Sequence, residues 1–271
     1  MKHWDYQTDI AWDKLDRSKI DPALVPLVKA AALVEYNGAV YAEYLCKIFK
    51  DDPEFCQAAR DWGIEEIQHG QSLGKWANLV DPSFDLEDSF KRFTSGYQQV
   101  PPNASASVRG SRAGEMIARC IVETGTSSYY TALMEATDEP VLKDICRHIA
   151  ADEFRHYKLF YQTFKKYVEI DRLGAFTRLK IALGRVAESE DDELAYAYFA
   201  ANENKSKDSY RRDVYSQLYV GGASKYYQRH HIDRAVGMVL KAAGLSAKGI
   251  LAKGASSLAW RMTRKKANKA A

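Results

Sequence analysis

Two short stretches of the chain pair a carboxylate with an imidazole at a spacing that suits a metal ion on a helix. Glu66 precedes His69 by three residues, and Glu153 precedes His156 by the same interval. Residues three apart lie on one face of an α-helix, one turn from each other, so each pair could grip a divalent cation. A single Glu-x-x-His sequence arises by accident on many helices, but this chain contains two.

Each pair is preceded by a lone glutamate on an apolar helical pattern. Glu35 lies 31 residues before Glu66, and Glu123 lies 30 residues before Glu153. Glu43 competes for the first position, but it lies 23 residues before Glu66 and breaks the symmetry. We therefore predict a set of metal ligands that consists of Glu35, Glu66, His69, Glu123, Glu153 and His156.

This ligand set suits two divalent iron or manganese ions in a helical core. Four buried carboxylates without partners would be costly or would take up protons, and two divalent cations cancel their charge. By symmetry, Glu66 and Glu153 would bridge the ions. The other ligands divide between the two sites as Glu35 with His69 and Glu123 with His156. Because each metal would have few protein ligands, coordination positions would remain open for water or O2. A metal-free helical scaffold is the alternative.

Two further residues are candidates for supporting the chemistry. Asp152 could orient a histidine of the opposite hairpin, most simply His69, because a metal-bound imidazole usually donates its second N–H to a carboxylate or carbonyl. Thr126 lies three residues after Glu123, so its hydroxyl would point toward the metals and could help to deliver protons. A surface aspartate and a packing threonine are the alternatives.

Other residues near the ligands fit simpler roles. Gly38 and Gly125, close to the two lone glutamates, could leave space for substrate. Glu65 is adjacent to Glu66, but only Glu66 has a histidine three residues further on. The remaining histidines lie outside the pattern and fit surface or packing positions: His3, His148, His230 and His231.

Helix signals predict elements that would position these ligands. Asp21-Pro22 and Asp52-Pro53 each have the form of an N-cap followed by proline at the first helical position. Strand signals are almost absent, so we expect an all-α protein. The four long helices should span about 22–49, 53–79, 111–136 and 140–167, and shorter ones should follow at 172–188, 190–202, 206–219 and 230–252.

Residues 81–109 interrupt the helical pattern with prolines and a Ser/Asn-rich run. So long a connection is unusual in a compact domain unless the chain crosses from one end of a bundle to the other. Two helical hairpins joined by such a crossover form the ferritin-like four-helix arrangement. We therefore predict an N-terminal arm over 1–20, a ferritin-like bundle over 21–170, additional helices packed on it over 171–252 and a frayed basic tail over 253–271.

Composition excludes several classes of protein. The chain has 271 residues, 46% of them hydrophobic, which is enough for one large core and too apolar for disorder. It lacks both a signal-peptide pattern and a run of 18 apolar residues, so we expect no membrane span. The four cysteines show no Cys-x-x-Cys spacing and fit core positions in a reducing cytoplasm: Cys46, Cys56, Cys120 and Cys146.

The net charge of +3 conceals an asymmetry. Residues 204–271 hold 15 Lys and Arg but three acids, which gives +12, so the preceding 203 residues sum to −9. A solvated basic end is one interpretation. The other is a surface for an acidic partner: a carrier protein, an anionic membrane surface or nucleic acid.

At the ligand residues the chain resembles the ferritin-like diiron-carboxylate superfamily, and its second hairpin is most similar to the soluble acyl-carrier-protein desaturases. The run Asp152-Glu153-Phe154-Arg155-His156 resembles their Asp-Glu-x-Arg-His helix, residues 65–70 match their Glu-Glu-x-x-His-Gly, and residues 123–126 keep their Glu-x-x-Thr. The resemblance spans about residues 30–185. It implies O2 activation at two irons, electrons from a separate ferredoxin, a long apolar substrate tunnel and an acidic carrier on a basic surface.

The chain departs from those desaturases in two ways. It is shorter, and the spacing in its first hairpin is closer to that of rubrerythrin-type proteins, whose usual Cys-x-x-Cys module is absent. Diiron hydroxylases, including the tRNA hydroxylases, share similar motifs. We therefore expect an O2-activating diiron oxidase that acts on an unactivated C–H bond of a fatty acyl chain. A diiron hydroxylase of tRNA or a small molecule, and a ferroxidase or peroxidase-type protein without an organic substrate, are the alternatives. Iron paired with manganese, and a homodimer, are left open.

Overall fold

The structure is a computed structural model that describes residues 3–97, 104–188, 192–203 and 205–269. Every regular element over these residues is helical, so the chain is all-α as the sequence predicts. None of the described helices combines the length and apolar composition that crossing a bilayer requires. The four cysteines are free thiols, three of them buried.

Six helices build the part of the chain that carries the predicted ligands. The bounds are α1 Val25–Tyr36, α2 Gly38–Ile48, α3 Pro53–Val80, α4 Leu86–Gly96, α5 Arg112–Ala136 and α6 Pro140–Ile170. Both α1 and α2 pack along α3, α5 packs along α6, and α3 also contacts α6. Because short connections join α2 to α3 and α5 to α6, the helices form two hairpins that face each other.

Side-chain caps begin the ligand helices close to the expected residues. The Asp52 carboxylate accepts from the Phe55 N–H at the start of α3. At the start of α5, Ser111 accepts from the Gly114 N–H. Such caps satisfy N–H groups that the first helical turn leaves without partners.

The first helix differs from its prediction. Residues 22–24 form a turn, and the expected continuous helix is divided at Asn37 into α1 and α2. Both pieces stay against α3, and at Gly38 the approach is so close that a Cβ atom would lie 2.3 Å from the Cβ of Glu66. The division of the helix at Asn37 accompanies the packing of both pieces against α3. Helix signals in the sequence carry no information about this tertiary contact.

The C-terminal third adds shorter helices around the two hairpins. Their bounds are α7 Ala175–Glu188, α8 Asp192–Asn202, α9 Arg212–Ser216, a π-helical turn Gln217–Gly221, α10 Gly222–Ser224, α11 Arg229–Ala242 and α12 Ile250–Lys269. Helix α8 packs on α1, and α11 packs on α5.

Two predictions for the C-terminal region are wrong. The helix expected over 230–252 ends at Ala242, because the chain turns through Gly244 and Gly249, whose positive φ angles of 75° and 108° favour glycine. The tail expected to fray is helical over the described residues to 269. Small side chains on one face of α12 are buried, which allows it to pack on α10, α11 and the π-helical turn: Ala252, Ser256 and Ala267.

The N-terminal segment lies against the long helices. Trp4 is buried and reaches α6, and a 3-10 turn at Trp12–Lys14 contacts the same helix. Within the predicted crossover, α4 forms a short helix, and residues 98–103 lie outside the described part of the chain.

Candidate metal centre

Six buried side chains from four helices meet where the two hairpins face each other. One group consists of Glu35, Glu66, His69 and Glu153, and the other consists of Glu66, Glu123, Glu153 and His156. Within each group, one potential ligand atom from every residue lies within 4.8 Å of the others. The structure thus brings together all six residues that the spacing pattern singled out. The competitor Glu43 lies instead on the exposed face of α2, paired with Lys47.

Glu66 and Glu153 belong to both groups. They come from α3 and α6, the second helices of the two hairpins. Each remaining ligand belongs to one group: Glu35 and His69 to the first, Glu123 and His156 to the second. This division is the one expected if Glu66 and Glu153 bridge a pair of ions.

The two imidazoles turn Nδ1 toward the carboxylates. Nδ1 of His69 lies 3.6 Å from Oε2 of Glu35 and 3.3 Å from Oε1 of Glu153. Nδ1 of His156 lies 3.0 Å from Oε1 of Glu66 and 3.6 Å from Oε2 of Glu123. Oxygen and nitrogen donors of both groups therefore face a common interior.

Several of these inward atoms are buried without a hydrogen-bond partner among the described residues. They are Oε2 of Glu35, Oε1 of Glu66, Nδ1 of His69, Oε1 of Glu153 and Nδ1 of His156. A buried polar atom without a partner costs about 1–3 kcal/mol, and folded proteins rarely tolerate several together. Divalent cations would satisfy all five.

The outer nitrogen of each imidazole meets a carboxylate of the opposite hairpin. Nε2 of His69 lies 3.1 Å from Oδ2 of Asp152, the contact that the sequence suggested. Nε2 of His156 lies 2.6 Å from Oε2 of Glu65, a contact that the sequence reasoning missed. The signal was available, because Glu65 immediately precedes Glu66 as Asp152 precedes Glu153.

Arg155 joins these two outer carboxylates. Its guanidinium donates to Oδ1 of Asp152 at 2.5 Å and to both oxygens of Glu65 at 3.0 and 2.9 Å. From the N-terminal segment, the Trp4 indole N–H donates to Oδ2 of Asp152 at 2.7 Å, and His3 lies 2.6 Å from Glu65. Nothing in the sequence connects Trp4 or His3 to this network, because the contacts join residues far apart in the chain.

Two hydroxyl groups each donate a hydrogen bond to a glutamate of the two groups, at the carboxylate oxygen that does not face the interior. Tyr130 donates to Oε1 of Glu35 at 2.6 Å, and Thr126 donates to Oε2 of Glu153. In both carboxylates the second oxygen is the one left without a partner. Thr126 and Asp152 therefore contact ligands, so they are positioning residues.

The pKa values reflect burial and crowding of charge. Burial, followed by the charge of Glu153, raises the pKa of Glu66 and Glu123 well above the usual range. Burial would also raise the pKa of Glu153, but the neighbouring His69 and His156 outweigh it and lower that pKa to about 2. Burial opposes the charged imidazoles, yet the surrounding carboxylates raise the pKa of both histidines. Cations at the centre of the two groups would stabilise this number of buried carboxylate charges.

The two glycines considered as space for substrate differ. A Cβ on Gly38 would collide with Glu66, so this glycine permits close helix packing and leaves no space. Gly125 is exposed, and a Cβ there would meet nothing within 4 Å. The neighbouring Thr126 is part-buried.

A third acidic and histidine group lies at the surface, between the end of α5 and the start of α11. Glu135 lies 3.0 Å from Nε2 of His230 and 3.1 Å from Nε2 of His231. Nδ1 of His231 accepts the backbone N–H of Gln228 at 2.9 Å, which places the proton of the neutral ring on Nε2. His231 therefore serves as a helix cap and a donor to Glu135.

A scan against models of known protein families gives no match, and a search of curated proteins gives none either. The interpretation of the centre therefore rests on its geometry and its motifs.

Proposed function

We propose that this chain is a ferritin-like diiron oxidase that uses O2 to attack an unactivated C–H bond, with a fatty acyl chain as its substrate. The observation that carries the proposal is the set of inward ligand atoms without hydrogen-bond partners, shared between two groups that overlap at Glu66 and Glu153. The two facing hairpins also support a ferritin-like bundle, because such bundles bind two metals with glutamates and Glu-x-x-His pairs from four helices.

The residues present fit a pair of iron ions. Glu35 and His69 would hold one ion, Glu123 and His156 the other, and Glu66 and Glu153 both. A mixture of carboxylate and imidazole donors is typical of iron and manganese sites. Structural zinc sites typically have thiolate donors. Once bound, the pair would supply the electrons and open coordination positions that O2 chemistry requires.

The protein's own groups prepare this site. Asp152 and Glu65 hold the proton of each imidazole on Nε2, so that the Nδ1 lone pair faces inward. Thr126 donates its hydroxyl proton to Oε2 of Glu153. Trp62 stands edge-on to His156, with ring centroids 6.4 Å apart, in a well-packed apolar cluster. Such surroundings exclude water, which favours reactions at unactivated carbon.

The acyl substrate is proposed from the motifs of the second hairpin. Three further features remain predictions, as the acyl substrate does: a ferredoxin-like electron donor, an acidic acyl carrier and an elongated apolar tunnel. Two surface cavities lie away from the ligands, one beside Pro140 and Glu135 and the other beside Gln217 and Lys269. The alternatives are a tRNA or small-molecule hydroxylase and an iron-oxidising protein without an organic substrate.

The test is anaerobic loading with Fe(II), followed by O2, a ferredoxin with its reductase, and acyl-carrier substrates. Mass spectrometry should detect loss of two hydrogens or gain of one oxygen in the acyl chain. Glu66→Ala is the control for the metal centre, and tRNA is the control for substrate class.

Each alternative has its own result. Rapid oxidation of Fe(II) with no O2-dependent mass change in any acyl or RNA substrate would favour an iron-handling protein. A mass change in tRNA alone would favour the hydroxylase. A purified protein that binds no iron would overturn the diiron proposal.

A further inference from the structure

Helix α12 presents an apolar stripe on the face opposite its packed side. Leu251, Leu258 and Met262 are 84%, 60% and 50% exposed. Their spacing of seven and four residues places them along one face of the helix. The opposite face contains the small side chains that pack against α10, α11 and the π-helical turn. Three large apolar residues in line are therefore left toward solvent on a well-formed helix.

The charge of this region is entirely positive. Residues 234–271 contain nine Lys and Arg and no Asp or Glu. Arg261 and Lys265 lie three residues after Leu258 and Met262, so they flank the stripe on the helix surface. A long run of cations that contains no acidic residue attracts an anionic partner.

Further exposed apolar residues lie where α12 begins. Ile250 is 89% exposed at the first position of the helix, and Phe176 near the start of α7 is 81% exposed. The turn before α12 lies beside α7, because a Cβ on Gly244 would lie 2.9 Å from the guanidinium carbon of Arg178. Apolar and cationic side chains therefore occur together around this end of α12.

We propose that α12 docks the protein on an anionic phospholipid surface. A helix with an apolar stripe and flanking Lys or Arg lies in the plane of a membrane interface, with its apolar side chains among the acyl chains. The cations gain further from the negative surface of anionic lipids. Neither contribution requires a membrane-spanning helix.

Other occupants explain less of this face. Nucleic acid is bound through cations and aromatic stacking, which leaves Leu251, Leu258 and Met262 without a role. A second copy of the chain would bring two positively charged faces together, which is unfavourable. An acidic carrier protein uses the charge but does not require apolar side chains of this length in line.

The docking face is joined to the metal centre through α11. This helix packs on α5, and its Met238 carbonyl accepts the Tyr157 hydroxyl at 2.8 Å. The Arg234 guanidinium lies 5.5 Å above the Phe154 ring. Phe154 and Tyr157 follow directly after the ligands Glu153 and His156. Docking would therefore place lipid close to the helix that packs on α5 and contacts α6 beside the ligands, although membrane binding itself does not depend on metal.

Vesicle flotation of the full chain tests the proposal. We expect binding to phosphatidylcholine vesicles that contain phosphatidylglycerol, weak binding to phosphatidylcholine alone, and release at high salt. The double variant Leu258→Ser with Met262→Ser should weaken binding by about tenfold or more, because it removes two of the three apolar side chains of the stripe. Ile170→Ser, at an equally exposed apolar position on α6, should have no effect.

A second variant keeps the test decisive if the first loosens α12. Arg261→Gln with Lys265→Gln leaves the stripe intact and should reduce binding to anionic vesicles only. Three results would each overturn the proposal: equal binding to neutral vesicles, an unchanged affinity in both double variants, or self-association that buries the stripe. Binding to an acidic carrier or to RNA without binding to vesicles would do the same. Glu153→Ala should bind vesicles normally, which separates this result from failure of the metal proposal.

Discussion

Glu65 lies 2.6 Å from Nε2 of His156 and does for that imidazole what Asp152 does for His69. Each carboxylate immediately precedes, on its own helix, a glutamate that belongs to both groups, and it reaches across to the histidine of the other hairpin. Arg155 contacts both carboxylates, so the two halves of the centre share one outer network. The two-fold relationship that the ligand spacing suggests therefore extends beyond the ligands.

The first prediction concerns this outer pair. Glu65→Gln and Asp152→Asn should each weaken iron affinity by about 10–100-fold, because each replaces the charged carboxylate that holds an imidazole proton with a neutral amide, a weaker acceptor. Competition with a chromogenic chelator measures the affinity. Glu43→Gln, an exposed carboxylate on α2, is the matched control and should change nothing. Unchanged affinity in both outer variants would mean that the carboxylates do not orient the histidines.

The second prediction separates shared ligands from unshared ones. Glu153→Ala removes a member of both groups and should abolish binding of both ions. Glu35→Ala removes a member of one group only, so it should weaken one ion and leave the second. Elemental analysis of iron per chain after dialysis measures the difference. The same iron content in the two variants would contradict the bridging arrangement.

The clustering of the six side chains was predictable because their relative placement is recorded in local spacing. Glu-x-x-His on a helix fixes the relative placement of two side chains whatever the tertiary fold, and the lone glutamates repeat at matching distances. Glu65 has the same position relative to Glu66 as Asp152 has relative to Glu153, so the sequence contains the same local signal for both outer carboxylates.

Other features depend on contacts between distant segments. The hydroxyl of Tyr130 reaches Glu35 across 95 residues of chain, and Trp4 reaches Asp152 across 148. The division of the first helix at Asn37 accompanies the approach of Gly38 to α3. Composition suggested a frayed tail, but the small side chains of α12 allow it to pack closely. None of these contacts has a local signal in the sequence.

The third prediction uses two glycines as a matched pair. Gly38→Ala would force its Cβ against Glu66, so it should destabilise the fold by about 1–3 kcal/mol and reduce iron content. Gly125→Ala enters open space within α5 and should stabilise the helix by about 0.5–1 kcal/mol. Urea unfolding measures both. Similar stability of the two variants would show that α2 can move away from α3 without cost.

The fourth prediction is a pH dependence of stability away from the centre. The ammonium of Lys29, 2.5 Å away, and the Ser83 hydroxyl lower the pKa of Asp81 from 3.8 to about 2. A lowered pKa in the folded state adds stability above the unfolded pKa, and this stability is lost as the pH falls from 3.8 toward 2. After allowance for solvent screening, the contribution is about 1 kcal/mol.

Asp81→Asn tests this relationship. The variant should be less stable than the parent near pH 6, partly because it leaves the largely buried Lys29 without its counter-charge. The difference in unfolding free energy should shrink as the pH falls toward 3, because protonated Asp81 also lacks the charge. Urea unfolding at several pH values measures it. A difference that is independent of pH would exclude the ion pair as its cause.

The last prediction concerns Thr126, which is part-buried and donates to Glu153. Thr126→Val keeps the shape of the side chain but removes the proton that it holds at Oε2. We expect this variant to bind both ions and to oxidise Fe(II) with O2 more slowly by about tenfold or more, because proton transfer at the centre loses its relay. Thr126→Ser keeps the hydroxyl and should restore most of the rate. Stopped-flow absorption with iron analysis measures both quantities. If the valine variant loses iron, the hydroxyl serves to position Glu153 alone, and if valine and serine react equally fast, it has no part in proton transfer.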